Sequence, residues 1–425
     1  MRAGTGQIPG SSPTDFHLSA HHEWKEELMS TTWSGAERKS RAPISLLNPT
    51  EPESEDTTQV SPEPATSEVP AAGQAQSLSE PGAPVQAVPL VSGRRSASVL
   101  QKDNMNDELP PATGWQAFLR SITFGLIKPK VGAVELARRT DLSAIQRVYS
   151  RPMRIMVAQP LGGVGKTMCS VGIGSTFGIH SGQHAIVWDN NEMMGTLGVR
   201  TNANGSSRTV WDLLNVLGKF ETIEARKGDF TYYTRHQGQN QFSVLASDED
   251  PDRMKSIGAD EFNRIHTVVS RFYDTIVLDT GNNTRSENWL ASIEVTDQLV
   301  IPVRLQRNAV VSALRMIEQL ESMSERQSNP HYKDLVANAV VIVTQGGGAK
   351  VSAADQADLR EQLSSAVRTI IDIPYDAALD NGSIIDWQLI GDPARRAFER
   401  VTAEIAAGLL TVDNRNPSQH STTNR

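Results

Sequence analysis

From Pro152 onward the chain alternates short apolar runs with longer segments of helical pattern. The apolar runs predict strands at Ile155–Gln159, Ala185–Asp189, Phe242–Ala246, Thr275–Asp279, Gln298–Val303, Ala339–Val343 and Thr369–Ile373. Helices are predicted over Lys166–His180, Val210–Leu217, Asp260–Phe272, Ala309–Met323, Ala354–Leu363 and Pro393–Leu410. Near-continuous apolar strands are the mark of a sheet buried on both faces. Strand alternating with helix therefore predicts an α/β fold, a mostly parallel sheet with helices on both faces in three layers. No internal repeat is visible.

The pattern changes ahead of that region. Trp115, Phe118, Leu119, Ile122 and Leu126 recur on one face of a helix, flanked by Arg120, Lys128 and Lys130. A second amphipathic piece carries Val134, Leu136, Leu142, Ile145 and Val148 among arginines. Two readings suit such segments: a peripheral contact of 115–130 with an anionic membrane surface, or packing on the adjoining domain or a partner. Packing or a partner contact is the favoured expectation.

Composition sets the outer limits. Of 22 prolines, 13 lie between Met1 and Pro111, where 8 Lys and Arg face 15 Asp and Glu. That region carries about −7 of the formal −8, so the remainder is near neutral and a local basic face is not excluded. After Trp33 it has no aromatic residue to seed a core, so disorder is expected over 1–110. His17, His21 and His22 lie there without Cys partners, and a metal site is not expected from them. The expected organisation is a Pro-, Ser- and Glu-rich region at 1–110, an amphipathic helical linker at 111–151, a folded domain at 152–411 and a polar tail at 412–425.

Cys169 is the single cysteine, so no intrachain disulfide forms, in keeping with a reducing cytoplasm. It is expected to be a small buried side chain. No apolar run reaches the length of a membrane span, and no signal peptide is evident at the N-terminus.

The chemistry concentrates in "RIMVAQPLGGVGKT", Arg154 to Thr167. A buried strand stops at Pro160, passes Gly162, Gly163, Val164 and Gly165, and enters a helix at Lys166, Thr167 and Met168. Glycines let successive backbone N–H groups turn onto one anion, and the helix N-terminus adds its partial positive charge. This is the phosphate-binding loop arrangement, with Lys166 for the β- and γ-phosphates and the Thr167 hydroxyl for Mg²⁺. Asp279 closes the strand "YDTIVLD" and is the candidate second holder of the Mg²⁺ shell. Asp189 also ends a strand, beside the expected γ-phosphate, and the stretch after it is a candidate switch loop.

These motifs resemble the ParA/MinD family of P-loop ATPases, whose deviant Walker motif reads K-G-G-x-G-K-[ST]. "LGGVGKT" matches six of its seven positions, and "YDTIVLDTGNN" is similar to the family's Walker B and switch II region. The resemblance covers Arg154 to about Leu410. The opening "GWQAFLRSITFGLIKPK" and the Pro-rich N-terminus resemble an actinobacterial branch that includes type VII secretion-associated and partition-like ATPases.

The resemblance implies ATP and Mg²⁺ as cofactors and an ATP-dependent homodimer that hydrolysis releases. It implies catalytic roles for Lys166, Asp189, Asn191 and Asp279, and purine contacts near Gln345 and the loop after Pro374. Implied partners are non-specific DNA or a secretion or partition protein, in a cytoplasmic protein associated with the nucleoid or membrane. Arg395, Arg396 and Arg400 are the DNA candidates, with a solvated helix face as the equal alternative.

Two departures fall on hydrolysis. The family's signature lysine is Leu161 here, which can neither carry charge nor donate a hydrogen bond. The second carboxylate of switch I is Asn191, with Glu192 beside it. A slow or partner-stimulated ATPase that positions or segregates a cargo is the expectation. A non-hydrolysing nucleotide-binding scaffold of a secretion or conjugation system is the alternative. A single cysteine excludes iron–sulfur relatives, and the absence of tyrosine from the tail argues against tyrosine-kinase relatives.

Overall fold

The computed structural model describes residues 110, 112, 114–124, 126, 130–191, 195–255, 257–346 and 351–415. The region 1–109 with its histidines, Glu192, Lys128 and residues 416–425 lie outside the described residues.

Eight strands form one sheet: β1 (Met153–Val157), β2 (Ala185–Asn190), β3 (Arg235–His236), β4 (Phe242–Leu245), β5 (Thr275–Thr280), β6 (Gln298–Val303), β7 (Val340–Thr344) and β8 (Thr369–Ile373). Their order is β3-β4-β2-β5-β1-β6-β7-β8. Every pairing is parallel except β3 with β4. The carboxyl ends of the seven parallel strands therefore share one edge. From central β1 the chain crosses to β2 on one side, and from β5 it crosses to β6 on the other. Such a switch point leaves a crevice outside the strand ends, where open α/β sheets bind ligands.

Alternate residues of the parallel strands feed two separate cores. On one face Met156, Ile186, Ile276, Leu278, Leu299 and Val341 pack with Phe262, Ile265, Trp289, Met316 and Leu320. On the other Ile155, Val157, Val187, Val277, Val300 and Ile342 pack with Val171, Ile173, Phe177, Phe398 and Ile405. Double-sided burial is why these strands read as unbroken apolar runs.

Helix α1 (Gly114–Ile122) comes first, and six of the longer helices after it cover the sheet or its flank: α2 (Ala133–Ile145), α3 (Lys166–His180), α4 (Ala259–Phe272), α5 (Glu287–Val295), α6 (Arg307–Gln327) and α7 (Asp392–Arg415). Glycines on α3 permit its close approach. A Cβ on Gly172 would stand 2.2 Å from the Phe398 ring, and one on Gly178 would stand 2.5 Å from the Asn240 carbonyl oxygen.

Several elements lie outside the sequence expectation, three of them with a part in the sheet or its core. β3 is a two-residue antiparallel edge, while α5 and the short helix His331–Ala337 carry buried Trp289 and Tyr332. Helix α7 runs past Leu410 to Arg415, and Asp413 accepts from the Ser150 backbone N–H at 3.2 Å, so the chain there is tied to the domain.

The two amphipathic pieces behave differently. α2 packs on α7: Arg138 forms a bidentate pair with Glu399 at 2.7 Å, and Ile145 is buried. In the α1 stripe Leu119 is half-buried, but Trp115, Phe118, Ile122 and Leu126 are exposed, which corrects the packing half of the expectation that it packs on the adjoining domain or meets a partner.

Among the DNA candidates, Arg395 pairs with Asp392, and Arg400 pairs with Asp141 and Glu404. This is the arrangement of a solvated, charge-balanced helix face.

Candidate nucleotide site

The loop Pro160–Gly165 leaves β1 at the crevice and enters α3. Gly163 and Gly165 have φ of +73° and +94°, a left-handed backbone that a side chain would strain. Thr344, at the end of β7, braces the loop by donating its hydroxyl to the Val164 carbonyl at 2.8 Å. Lys166 folds back along the loop. Its ammonium donates to the carbonyls of Gln159 (2.9 Å) and Leu161 (3.3 Å) and to Asn282 Oδ1 (2.5 Å).

Around this loop lies a cavity of about 540 Å³, within the size range of small-molecule sites. It brings together Gly162, Gly163, Gly165, Lys166, Thr167, Met168, Asn191, Asp279 and Gln345 from the sequence-derived set. Val164 does not line the cavity; its side chain is buried. Pro374 and Asp189 do not line the cavity; Leu379, Asp380 and Gly382, farther along the loop after β8, do.

Sequence reasoning missed Thr196, Arg200, Asn282, Arg304 and Asp380 in the wall. Asn282 was within sight, three residues past Asp279 in "DTGNN". The two arginines and Asp380 arrive through the folding of distant loops, and no local pattern announces them.

Asp279 and Asp189 end neighbouring strands and are register partners; both are nearly fully buried. Burial lifts the Asp279 carboxyl above the usual range, while the Thr167 hydroxyl, the Lys166 charge and the Ser170 hydroxyl pull against that rise. Ser170 Oγ donates to Asp279 Oδ1 at 3.1 Å. Burial also lifts the Asp189 carboxyl, with the neighbouring Asp279 charge adding to it. Asp189 Oδ2 accepts from Ser247 Oγ at 3.0 Å and from the Leu197 N–H at 3.2 Å. A Cβ on Gly195 would fall 1.9 Å from that oxygen, so only glycine fits against it.

The donor set suits Mg²⁺. Asp279 and Thr167 present a buried carboxylate beside a hydroxyl, and Thr167 Oγ1 lies 2.9 Å from Thr196 Oγ1. Few protein oxygens are what Mg²⁺ takes, since it keeps most of its waters. Among the described residues no group of three or more His, Cys, Asp or Glu could cage another metal. Cys169 is fully buried, and burial pushes its thiol far above the usual range, so it is no nucleophile here.

Leu161 is half-buried and packs against the core beside the loop.

Fold and loop together define an α/β P-loop NTPase architecture. No protein-family profile and no curated protein matches the chain. Solved structures similar to it include apo McdA from Cyanothece, at 18% identity over 59% of this chain and 98% of that one, with a TM-score of 0.44. A ParA family ATPase from Chlorobium tepidum matches at 14% identity over 62% and 99%, with a TM-score of 0.43. The cell division ATPase MinD from Pyrococcus furiosus matches at 15% over 60% and 98%, with a TM-score of 0.45. Likenesses of this depth carry no argument about activity, which rests on the residues themselves.

Proposed function

We propose that this chain is an ATP-operated molecular switch of the ParA/MinD type, binding ATP with Mg²⁺ in the cavity around Lys166. The observation that carries the reading is the convergence of Lys166, Thr167 and Asp279 at one glycine-lined crevice, with the backbone of Gly163 and Gly165 turned for an anion. In this reading the loop N–H groups and Lys166 hold the phosphates, and Thr167 and Asp279 hold the metal. The metal would neutralise charge developing on the phosphate oxygens. Gln345 and the Leu379–Gly382 loop flank the base, and Asn191 and Thr196 face the γ-phosphate from the loop after β2.

The cycle proposed is association of two copies on ATP and release on hydrolysis, positioning a cargo such as DNA or secretion machinery. Turnover is slow or partner-stimulated, because Leu161 offers no charge and Asn191 no carboxylate. Such electrostatic donors contribute several kcal/mol to a transition state. The test is ATP turnover by the full chain, with and without DNA, beside Lys166→Ala. Turnover lost in the variant supports the switch.

A second reading is a nucleotide-binding scaffold without hydrolysis. The hydrogen bonding of Asp189 to Ser247 and Leu197, outside the cavity wall, favours it. Binding without turnover under either condition would put that reading ahead.

A further inference from the structure

Helix α1 leaves most of its apolar stripe facing outward. Its half-buried residues are Gln116, Ala117 and Leu119. Gln116 lies against the turn before α2, where a Cβ on Gly132 would stand 3.1 Å from Gln116 Nε2. The other side presents Trp115, Phe118 and Ile122 at 67%, 69% and 57% exposure, followed by Phe124 at 94% and Leu126 at 89%. A surface helix of a globular domain does the opposite and turns its apolar stripe inward. A contiguous outward apolar patch marks an interaction surface.

Charge selects the occupant. Between Ala112 and Gly132 the sequence carries Arg120, Lys128 and Lys130 and no acidic residue, in a chain of formal net charge −8. The basic residues of α2 have carboxylates at hand: Arg138 is paired with Glu399 and Arg139 with Glu135. Trp and Phe on one face, with Lys and Arg and no acidic residue in the same stretch of sequence, is the composition of a helix lying in a lipid interface. Clustered basic residues next to such a face add attraction to anionic headgroups. A groove on another protein would accept the apolar stripe but would not call for a stretch free of carboxylates.

We propose that α1 is a membrane-surface anchor that lays Trp115, Phe118 and Ile122 into an anionic lipid bilayer. No helix among the described residues is long and apolar enough to cross a membrane, so the attachment is peripheral and reversible. The inference does not depend on the nucleotide reading.

The test uses the full chain with vesicles of phosphatidylcholine alone and of phosphatidylcholine with phosphatidylglycerol, without nucleotide. The expected result is cosedimentation with the anionic vesicles only, and a blue shift of tryptophan emission that Trp115→Phe removes. Phe118→Glu, at an exposed position, should weaken partitioning at least about tenfold by placing a charge on the inserted face, with an unchanged Tm. Absence of binding to anionic vesicles, or binding equal in Phe118→Glu, overturns the proposal. So does a lipid-free dimer that Phe118→Glu dissociates, which would assign the stripe to a second copy of the chain.

Discussion

Asp279 and Asp189 are register partners on β5 and β2, yet only Asp279 lines the nucleotide cavity. Asp189 is instead held by Ser247 and the Leu197 N–H, with Gly195 pressed against its carboxylate. Two strand-end carboxylates that look equivalent in the sequence thus have different surroundings. In the proposed function Asp279 meets the cation, whereas Asp189 fixes the start of the loop after β2.

Replacing Asp279 by Asn should separate stability from binding. The amide removes one of two adjoining buried carboxylates, so Tm without ligand is expected to stay level or rise. Mg²⁺-dependent nucleotide affinity is expected to fall at least about tenfold, the loss of one charge-assisted contact. Thermal melts and nucleotide titrations with and without Mg²⁺ check both. A fall in Tm with unchanged Mg²⁺ dependence would contradict the assignment.

Gly195→Ala tests the Asp189 clamp. The added methyl must displace a carboxylate oxygen, and overpacking of this kind typically costs about 1–3 kcal/mol. Denaturant unfolding should show that loss, whereas Gly205→Ala is a poor control because Gly205 has φ of +74°. Gly228, with open space around its Cβ position and no positive φ, is the proper one.

Acid sensitivity should appear away from the site. Burial first, and then the Arg154 charge, lower the His266 imidazole to about 4, and its ring stacks on Phe262. The unfolded chain therefore binds this proton more readily than the folded one. Stability from this residue is present above the unfolded value of about 6.5 and is lost as pH falls toward 4. Tm measured from pH 7 to pH 4.5 should decline less in His266→Gln than in the natural chain, once the variants are matched at pH 7.

Much of the fold was legible because six of the seven expected strands are buried along nearly their whole length and so stand out as apolar runs. β3 escaped because two polar edge residues make no run, and α5 because "ENWLASIEV" sits between two stronger strands. The loop from Pro160 to Thr167 was legible because all its chemistry is contiguous. Thr196, Arg200, Arg304 and Asp380 were not, since the crevice gathers them from three separate strand ends, those of β2, β6 and β8. Pro374 missed the cavity by a few residues: the chain turns inward only at Leu379. The amphipathic stripe of α1 was plain in the sequence, but periodicity alone does not say which way a helix faces.

Leu161→Lys addresses the departure at the loop. Leu161 is half-buried against the core, so the longer cation must extend toward solvent, its stem keeping part of the packing. If turnover is limited by the missing charge, the variant should raise the rate several-fold without tightening ATP binding. Rates that stay level would place the limit elsewhere, with Asn191 the next position to change.

The most direct measurement is equilibrium binding of a fluorescent ATP analogue with Mg²⁺ to the full chain and to Lys166→Ala. The account predicts saturable binding to the natural chain and a loss of at least about tenfold in the variant, since charge-assisted bonds contribute roughly 1.5–3 kcal/mol. No saturable binding to the natural chain, or equal affinity in the variant, would contradict it.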